Sequence, residues 1–291
     1  MDKRFLRCYT IVYCNLNFLS EGVLMMKQKL LPVLAVAGGA AAFLLRLLQN
    51  RTGFERDTGL AIPGNIPGTA LILLFAVLAA AFFLLGRKTD KEESRPFAAV
   101  FSFDDAAALT LPVAGILLTG ASGAVDLAMG LQIFPGAMFG PGTHKLLGAL
   151  SIVSAVGLFL IIAACRKGSD LPAVAVLPIS VALVVRLVVT YRSVSTDPTL
   201  AAYYVELMAL VFLTLAFFRL AGFAFADAKP RAFLLCAPMA GVFSMAAIAD
   251  VAKISLPSLG AYVGGALVLL GFLMAYRPQN STETTLEQDE T

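Results

Sequence analysis

Long apolar stretches recur along this chain, and they constrain its fold more than any other feature of the sequence. Each has eighteen or more nearly uncharged residues, about the length at which a helix crosses a hydrocarbon layer of roughly 30 Å. Hydrophobic residues make up 59% of the chain and charged residues 14%, whereas about 25% of a soluble domain is charged. The short alternating segments of a membrane β-barrel are absent. The sequence therefore predicts an all-α fold, a polytopic helical bundle in a membrane.

Eight candidate membrane-spanning helices emerge when hydropathy is averaged over about nineteen residues. Segments rich in proline and glycine, such as Ile62–Gly68, separate several of them and are typical of turns. The predicted spans are Leu30–Leu48, Thr69–Gly86, Ala107–Gly130, Leu146–Cys165, Pro172–Thr190, Leu200–Leu220, Ala232–Asp250 and Leu259–Tyr276.

Lysine and arginine are unevenly divided between the two sets of loops. Because cytoplasmic loops carry an excess of these residues, this division predicts the orientation of the chain. One side has Lys3, Arg4, Arg7, Lys27, Lys29, Arg87, Lys88, Lys91, Arg95, Arg166, Lys167, Lys229, Arg231 and Arg277, and the other has Arg51, Arg56, Lys145, Arg192 and Lys253. We therefore expect a multi-pass plasma-membrane protein with both termini in the cytoplasm.

The two ends of the chain differ in composition from the region between them. Residues 1–26 mix charged and apolar residues, so we interpret them as a disordered leader or a non-native start, with Met25 or Met26 as the native first residue. A signal peptide is the alternative, but a small-residue cleavage site is missing. Residues 27–277 form the predicted transmembrane domain. Residues 278–291 are polar and acidic and are expected to be a solvated cytoplasmic tail.

Short motifs recur in the same order in two parts of the transmembrane domain. They predict two repeats of four helices, residues 27–167 and 168–277, and two such halves face the same way across the membrane. Small residues let helix backbones approach, so we expect glycines between the halves, with Gly38, Gly39, Gly120, Gly123, Gly260 and Gly264 as candidates. The matched motifs include Leu45–Leu48 with Val185–Val188, Phe101–Ala106 with Phe223–Ala228, and Pro112–Gly115 with Pro238–Gly241.

Ionisable residues inside the predicted spans are the candidates for a binding site, because charge is costly within a bilayer. Most of them fall in the outer half of the bundle. The repeats suggest two ion pairs, Arg46 with Asp126 and Arg186 with Asp250, which would lower the cost of insertion. Glu206 has no counterpart in the other repeat, so it is the strongest functional candidate. The predicted substrate-binding residues are Glu206, Arg186, Asp126, Arg46 and Asp250; the alternative is that they only hold helices together.

Other polar residues receive less specific interpretations. Arg219 is expected to reach the membrane interface, as long basic side chains do, and His144 to be an exposed loop residue. Aspartates at 104, 105 and 227 could cap the helices that follow them. The phenylalanines beside them, at 101–103 and 223–225, indicate a short interfacial segment that these side chains bury or, alternatively, a partner-binding site.

The common catalytic and nucleotide-binding signatures are absent from the sequence. There is no HExxH, no CxxC pair, no GxSxG and no P-loop, and the chain has a single histidine. We therefore predict no enzymatic activity, no catalytic residues, no metal site and no cofactor. The net charge of +3 is not gathered into a basic patch, which argues against nucleic-acid binding.

Three functions remain open. The first is a small-solute secondary transporter or a permease-like component, with a polar site in the outer half of the bundle. The second is a non-catalytic membrane sensor, scaffold or accessory protein whose buried charges are structural. The third is an intramembrane enzyme acting on a lipid or isoprenoid. The expected partners are the lipid bilayer and a small charged solute, and the oligomeric state does not follow from the sequence.

Overall fold

The predicted bundle is present in the structure, a computed structural model. Eight of its helices are long and apolar enough to cross a membrane, which confirms the all-α prediction. No strand occurs among the described residues, only two isolated bridges. The predicted leader, 1–26, and tail, 278–291, lie outside the described residues, which are 30–55, 57–87, 96–103, 105–134, 139–167, 173–225 and 227–277.

Each predicted span overlaps one of these long helices, and several helices extend beyond the apolar segment into polar residues. A proline stands in the first turn of α2, α6, α8 and α9, where its missing N–H costs no hydrogen bond. The helices are α1 Leu30–Thr52, α2 Ile66–Gly86, α3 Phe97–Val100, α4 Ala106–Gly130, α5 Pro141–Lys167, α6 Leu177–Val194, α7 Tyr204–Ala224, α8 Pro230–Ala247 and α9 Leu256–Ala275. Three 3-10 turns accompany them, Ala173–Val176, Leu200–Ala202 and Ile248–Asp250.

Helices α4 to α9 form a closed series of neighbours, because each packs against the next and α9 packs along α4. Helices α8 and α9 are the most enclosed of the eight. Helix α2 packs on α8, and α1 approaches both of these helices through two glycines: Gly38 faces Leu78 of α2, and Gly39 faces Met245 of α8. The bundle is thus built around α8 and α9.

Glycines permit close backbone contact where α4 meets α9. A Cβ atom on Gly264 would lie 2.5 Å from Thr119 Oγ1 and 2.8 Å from the carbonyl oxygen of Gly115. Helix α4 meets α5 in the same way, since a Cβ atom on Gly123 would lie 3.0 Å from the carbonyl oxygen of Gly148. The close approach expected at Gly123 and Gly264 is confirmed, although Gly123 faces a helix of its own predicted repeat.

Corresponding helices of the two predicted repeats have neighbours that correspond only in part. Helix α4 packs along α5 and α9, whereas its counterpart α8 packs along α7, α9 and α2. The internal repeat, with residues 27–167 and 168–277 as its units, stays a prediction.

The two ends of the bundle differ. We call the end with Leu30 and Arg277 the terminal end. The opposite end, which we call the far end, has the connecting residues 53–55, 57–65, 131–134, 139–140, 195–203 and 251–255. An aromatic cluster fills the terminal end between α3, α7, α8 and α9. We call it the aromatic plug, and it consists of Phe97, Phe101, Phe103, Phe223, Phe233, Phe272 and Tyr276.

The segment at 101–103, which is predicted to be interfacial, is buried in this plug. Phe101 is 0% exposed and makes edge-to-face contacts with Phe223, Phe233 and Phe272. Backbone hydrogen bonds hold the segment against the end of α9, since the N–H of Ser102 donates to the carbonyl of Ala275 over 2.9 Å. These phenylalanines bury the segment within the bundle, and its position at a membrane interface stays a prediction.

The predicted caps at Asp105 and Asp227 do not form. Asp105 precedes α4, but its side chain makes no capping hydrogen bond. Helix α8 begins after Lys229, and the Asp227 carboxylate lies 3.6 Å from the Lys229 ammonium instead. Asp104 lies outside the described residues.

Candidate functional site

The five predicted site residues lie together in one buried layer near the far end. Their exposed fractions are small enough to keep all five out of contact with bulk solvent. These fractions are 0% for Arg46, 0% for Asp126, 2% for Arg186, 6% for Glu206 and 3% for Asp250.

The first ion pair joins Arg46 of α1 to Asp250 in the 3-10 turn that follows α8. Arg46 Nε donates to the two carboxylate oxygens over 3.2 and 2.9 Å. Its other nitrogens donate to Gln49 Oε1, over 2.8 Å, and to the carbonyl of Ala202. The amide of Asn50 also donates to Asp250, over 2.8 Å. This network fastens α1 to α8 and to the turn before α7.

The second ion pair joins Arg186 of α6 to Asp126 of α4, with 2.6 Å between Nη2 and Oδ2. Arg186 Nη1 donates to the hydroxyl of Ser258 over 2.8 Å. The remaining Asp126 oxygen lies 2.9 Å from His144 Nδ1. The backbone N–H of Phe139 donates to His144 Nε2 over 3.1 Å, so that nitrogen is unprotonated and Nδ1 carries the proton. A buried histidine, aspartate and arginine thus form one chain of hydrogen bonds.

Two sequence predictions are corrected by these contacts. The predicted partners are exchanged: Arg46 binds Asp250 rather than Asp126, and Arg186 binds Asp126 rather than Asp250. Proximity of α1 to α8, rather than membership of a repeat, decides the partner of Arg46. His144 is 0% exposed rather than a loop residue, because α5 begins at Pro141 and turns His144 toward α4.

The carboxylate of Glu206 on α7 accepts a hydrogen bond from the hydroxyl of Tyr262 on α9, over 2.8 Å. Tyr262 lies one helical turn beyond Ser258, the partner of Arg186, and residues four apart share a helix face. The Glu206 contact therefore continues the second ion-pair network along α9.

The other unmatched charge, Arg219, is half-buried at the terminal end, 5.8 Å from the Phe218 ring centroid. Its role at a membrane interface stays a prediction.

A cleft of about 560 Å³ opens at the far end above the first ion pair. Two of its lining residues touch that pair directly: Asn50 donates to Asp250, and the carbonyl of Ala202 accepts from Arg46. None of the five predicted site residues lines the cleft itself. Its lining residues are Asn50, Arg51, Phe54, Glu55, Gly59, Thr199, Ala202, Tyr203 and Lys253.

The α6–α7 turn contributes one carboxylate beside the cleft, that of Asp197, which does not line it. Asp197 accepts hydrogen bonds from the hydroxyl and the N–H of Thr199, over 2.6 and 2.8 Å, and these bonds lower the pKa of its carboxyl group. Burial, and then the carboxylates of Asp197, Glu206 and Asp250, raise the pKa of Tyr203. Tyr203 therefore stays a neutral phenol between the cleft and the buried layer.

Several residues of the site escaped the sequence analysis, although some left a signal. Gln49 and Asn50 follow Arg46 at three- and four-residue spacing, and Ser258 and Tyr262 form a polar pair four apart in α9. Such pairs share a helix face. Lys253 left no signal, because its neighbours come from distant parts of the chain.

Comparison with models of protein families, with curated proteins and with solved structures gives no match. Among the residues that the structure describes, no group of three or more His, Cys, Asp or Glu side chains could hold a metal ion. What the site can do follows from its own geometry: it offers fixed charges of both signs beneath a cleft wide enough for a small molecule.

Proposed function

We propose that this chain is a permease-like protein of the plasma membrane, which binds a small charged solute in the far-end cleft. The observation that carries the proposal is the position of the cleft, directly above the Arg46–Asp250 pair. The aromatic plug occupies the opposite end. A polar opening on one side and a closed aromatic end on the other resemble one state of a transporter that exposes its site alternately to each side.

The excess of basic residues at the terminal end supports an orientation in which the far end faces the exterior. Both termini are then cytoplasmic, and the solute reaches the cleft from outside. The proposed role of the buried charges is to compensate the charge of the solute from beneath the cleft, rather than catalysis. The proposed partners are the lipid bilayer and the solute, without nucleic acid.

The proposal can be tested by a thermal-shift screen of the detergent-solubilised full chain against amino acids, organic acids and organic cations. Ligand that binds only the folded state raises the melting temperature. We expect at least one class to do so, and we expect that shift to shrink in Tyr203→Ala, which alters the cleft wall, and in Glu206→Gln, which alters the buried layer. Uptake of each compound that binds is then measured in proteoliposomes that contain the protein.

The matched control is Asp227→Asn, at an exposed carboxylate of the terminal end. It should retain the shift of the wild type. If the unliganded melting temperature of Glu206→Gln falls strongly, Tyr203→Ala alone decides the outcome, since its side chain is only half-buried. A screen without a hit in any class, or binding without uptake, would overturn the permease proposal.

The second candidate is a non-catalytic sensor, scaffold or accessory protein. One observation favours it: all five charged residues of the buried layer have a hydrogen-bond partner within the protein. Such mutual pairing is sufficient to hold helices together in a membrane. A folded protein that binds no solute is the result expected of this candidate.

A further inference from the structure

Lys253 places an ammonium group in the cleft without a carboxylate partner. Its Nζ atom lies 3.5 Å from Asn50 Oδ1 and 4.7 Å from the centroid of the Phe54 ring. Among the described residues, no Asp or Glu oxygen lies within salt-bridge distance of it. Asp250 is near, but both of its oxygens accept hydrogen bonds from Arg46.

The surroundings of Lys253 penalise its charged form. Burial lowers the pKa of Lys253; the carboxylate of Asp250 opposes this change, and the guanidinium of Arg46 adds to it. A half-buried ammonium with incomplete compensation gains from a ligand that brings negative charge and hydrogen-bond acceptors.

The charged residues that line the cleft carry more positive than negative charge. Arg51 and Lys253 stand against one carboxylate, that of Glu55. Glu55 is held in its own turn, where it accepts a hydrogen bond from the hydroxyl of Thr58 over 2.5 Å. The cleft can therefore accept one further negative charge near Lys253.

The remaining walls define the size and character of the ligand. The volume of about 560 Å³ falls within the range of roughly 300–1,000 Å³ typical of small-molecule sites. The rings of Phe54 and Tyr203 offer apolar contact beside the charged groups, which suits an organic body better than an inorganic ion.

We propose that the cleft recognises the carboxylate of a small organic acid or amino acid, with the Lys253 ammonium as its main contact. Arg51 at the rim adds a second positive charge, and the body of the solute packs between Phe54 and Tyr203. This assignment rests on the proposed function and names the solute class of that same cleft.

The test compares carboxylates with their own amides. The full chain in lipid nanodiscs is titrated with lactate, succinate and glutamate, and in parallel with lactamide, succinamide and glutamine, while inorganic phosphate and ethanolamine complete the set. We expect at least one carboxylate to bind and its carboxamide counterpart to bind at least about tenfold more weakly, because a charge-assisted hydrogen bond is lost.

Three variants locate the contact. Lys253→Gln should weaken carboxylate binding by about tenfold or more, whereas Lys253→Arg keeps the charge and should retain most of it. Arg192→Gln removes an exposed far-end cation that does not line the cleft, and it should bind as the wild type does. Lys253 is half-buried and its hydrogen bond to Asn50 is long, at 3.5 Å, so its variants are expected to fold, which their unliganded melting temperatures will check.

The outcomes separate the two proposals. Equal binding of acid and amide, unchanged binding in Lys253→Gln, or binding of phosphate or ethanolamine alone would overturn the carboxylate assignment and leave a solute-binding protein of another class. If no compound of any class binds, the permease proposal fails as well.

Discussion

The buried arginines and aspartates show at the scale of single residues how a membrane protein accommodates charge. Each guanidinium meets a carboxylate, at 2.9 Å for Arg46 and Asp250 and at 2.6 Å for Arg186 and Asp126. Removal of one partner from a buried pair leaves an uncompensated charge and costs about 3–5 kcal/mol. Measurements of stability can therefore identify the partner of each buried charge.

A double-mutant cycle tests the exchanged pairing. We expect Arg46→Gln and Asp250→Asn to be non-additive, with a coupling free energy of unfolding of about 0.5–3 kcal/mol, because the two side chains share hydrogen bonds. The control cycle combines Arg46→Gln with Asp126→Asn, which should add to within about 0.5 kcal/mol. Coupling in the control cycle but not in the first would restore the pairing inferred from the repeats. Reversible unfolding in detergent micelles provides the measurement.

At the scale of elements, small residues set the distance between helices. The α4–α9 contact depends on Gly264, where the backbone of α9 approaches Thr119 and Gly115 too closely for a side chain. Without a hydrophobic driving force between helices in lipid, such packing is a main source of association. These glycines could be predicted from the sequence because small residues are conspicuous in an apolar helix. The contact of Gly123 with α5, rather than with the other half, could not.

Gly264→Ala tests this contact. A methyl group there would lie 2.5 Å from Thr119 Oγ1, so we expect a loss of about 1–3 kcal/mol in the free energy of unfolding. The matched control is Gly142→Ala, since a Cβ atom at Gly142 would meet nothing within 4 Å. It should be neutral or slightly stabilising, because alanine favours the helix. Equal melting temperatures for the two variants would contradict tight packing of α4 on α9.

At the scale of the whole molecule, the two ends of the bundle have opposite characters. The far end carries the cleft over buried charge, and the terminal end carries the aromatic plug around Phe101. The proposed direction of solute entry depends on which end faces the exterior, and that orientation comes from the distribution of lysine and arginine in the loops.

Cysteine labelling of intact cells tests the orientation. In a background without native cysteines, Thr196→Cys places a thiol in an exposed far-end loop and Lys229→Cys places one at the terminal end. We expect a membrane-impermeant maleimide to label Thr196→Cys on intact cells and Lys229→Cys only after permeabilisation. The reverse pattern would invert the orientation and place the cleft in the cytoplasm.

The sequence by itself determined the fold class, the number and approximate bounds of the eight helices, and the five charged residues of the buried layer. These properties are local: hydropathy over one helix length decides whether a segment can cross a membrane, and a charge within it is conspicuous. Only the tertiary structure decided that Arg46 pairs with Asp250, that His144 is buried beside Asp126, and that Lys253 faces a cleft. Each of these depends on which distant helices become neighbours, and between segments of almost uniform hydrophobicity that choice is made by side-chain packing, which no single segment specifies.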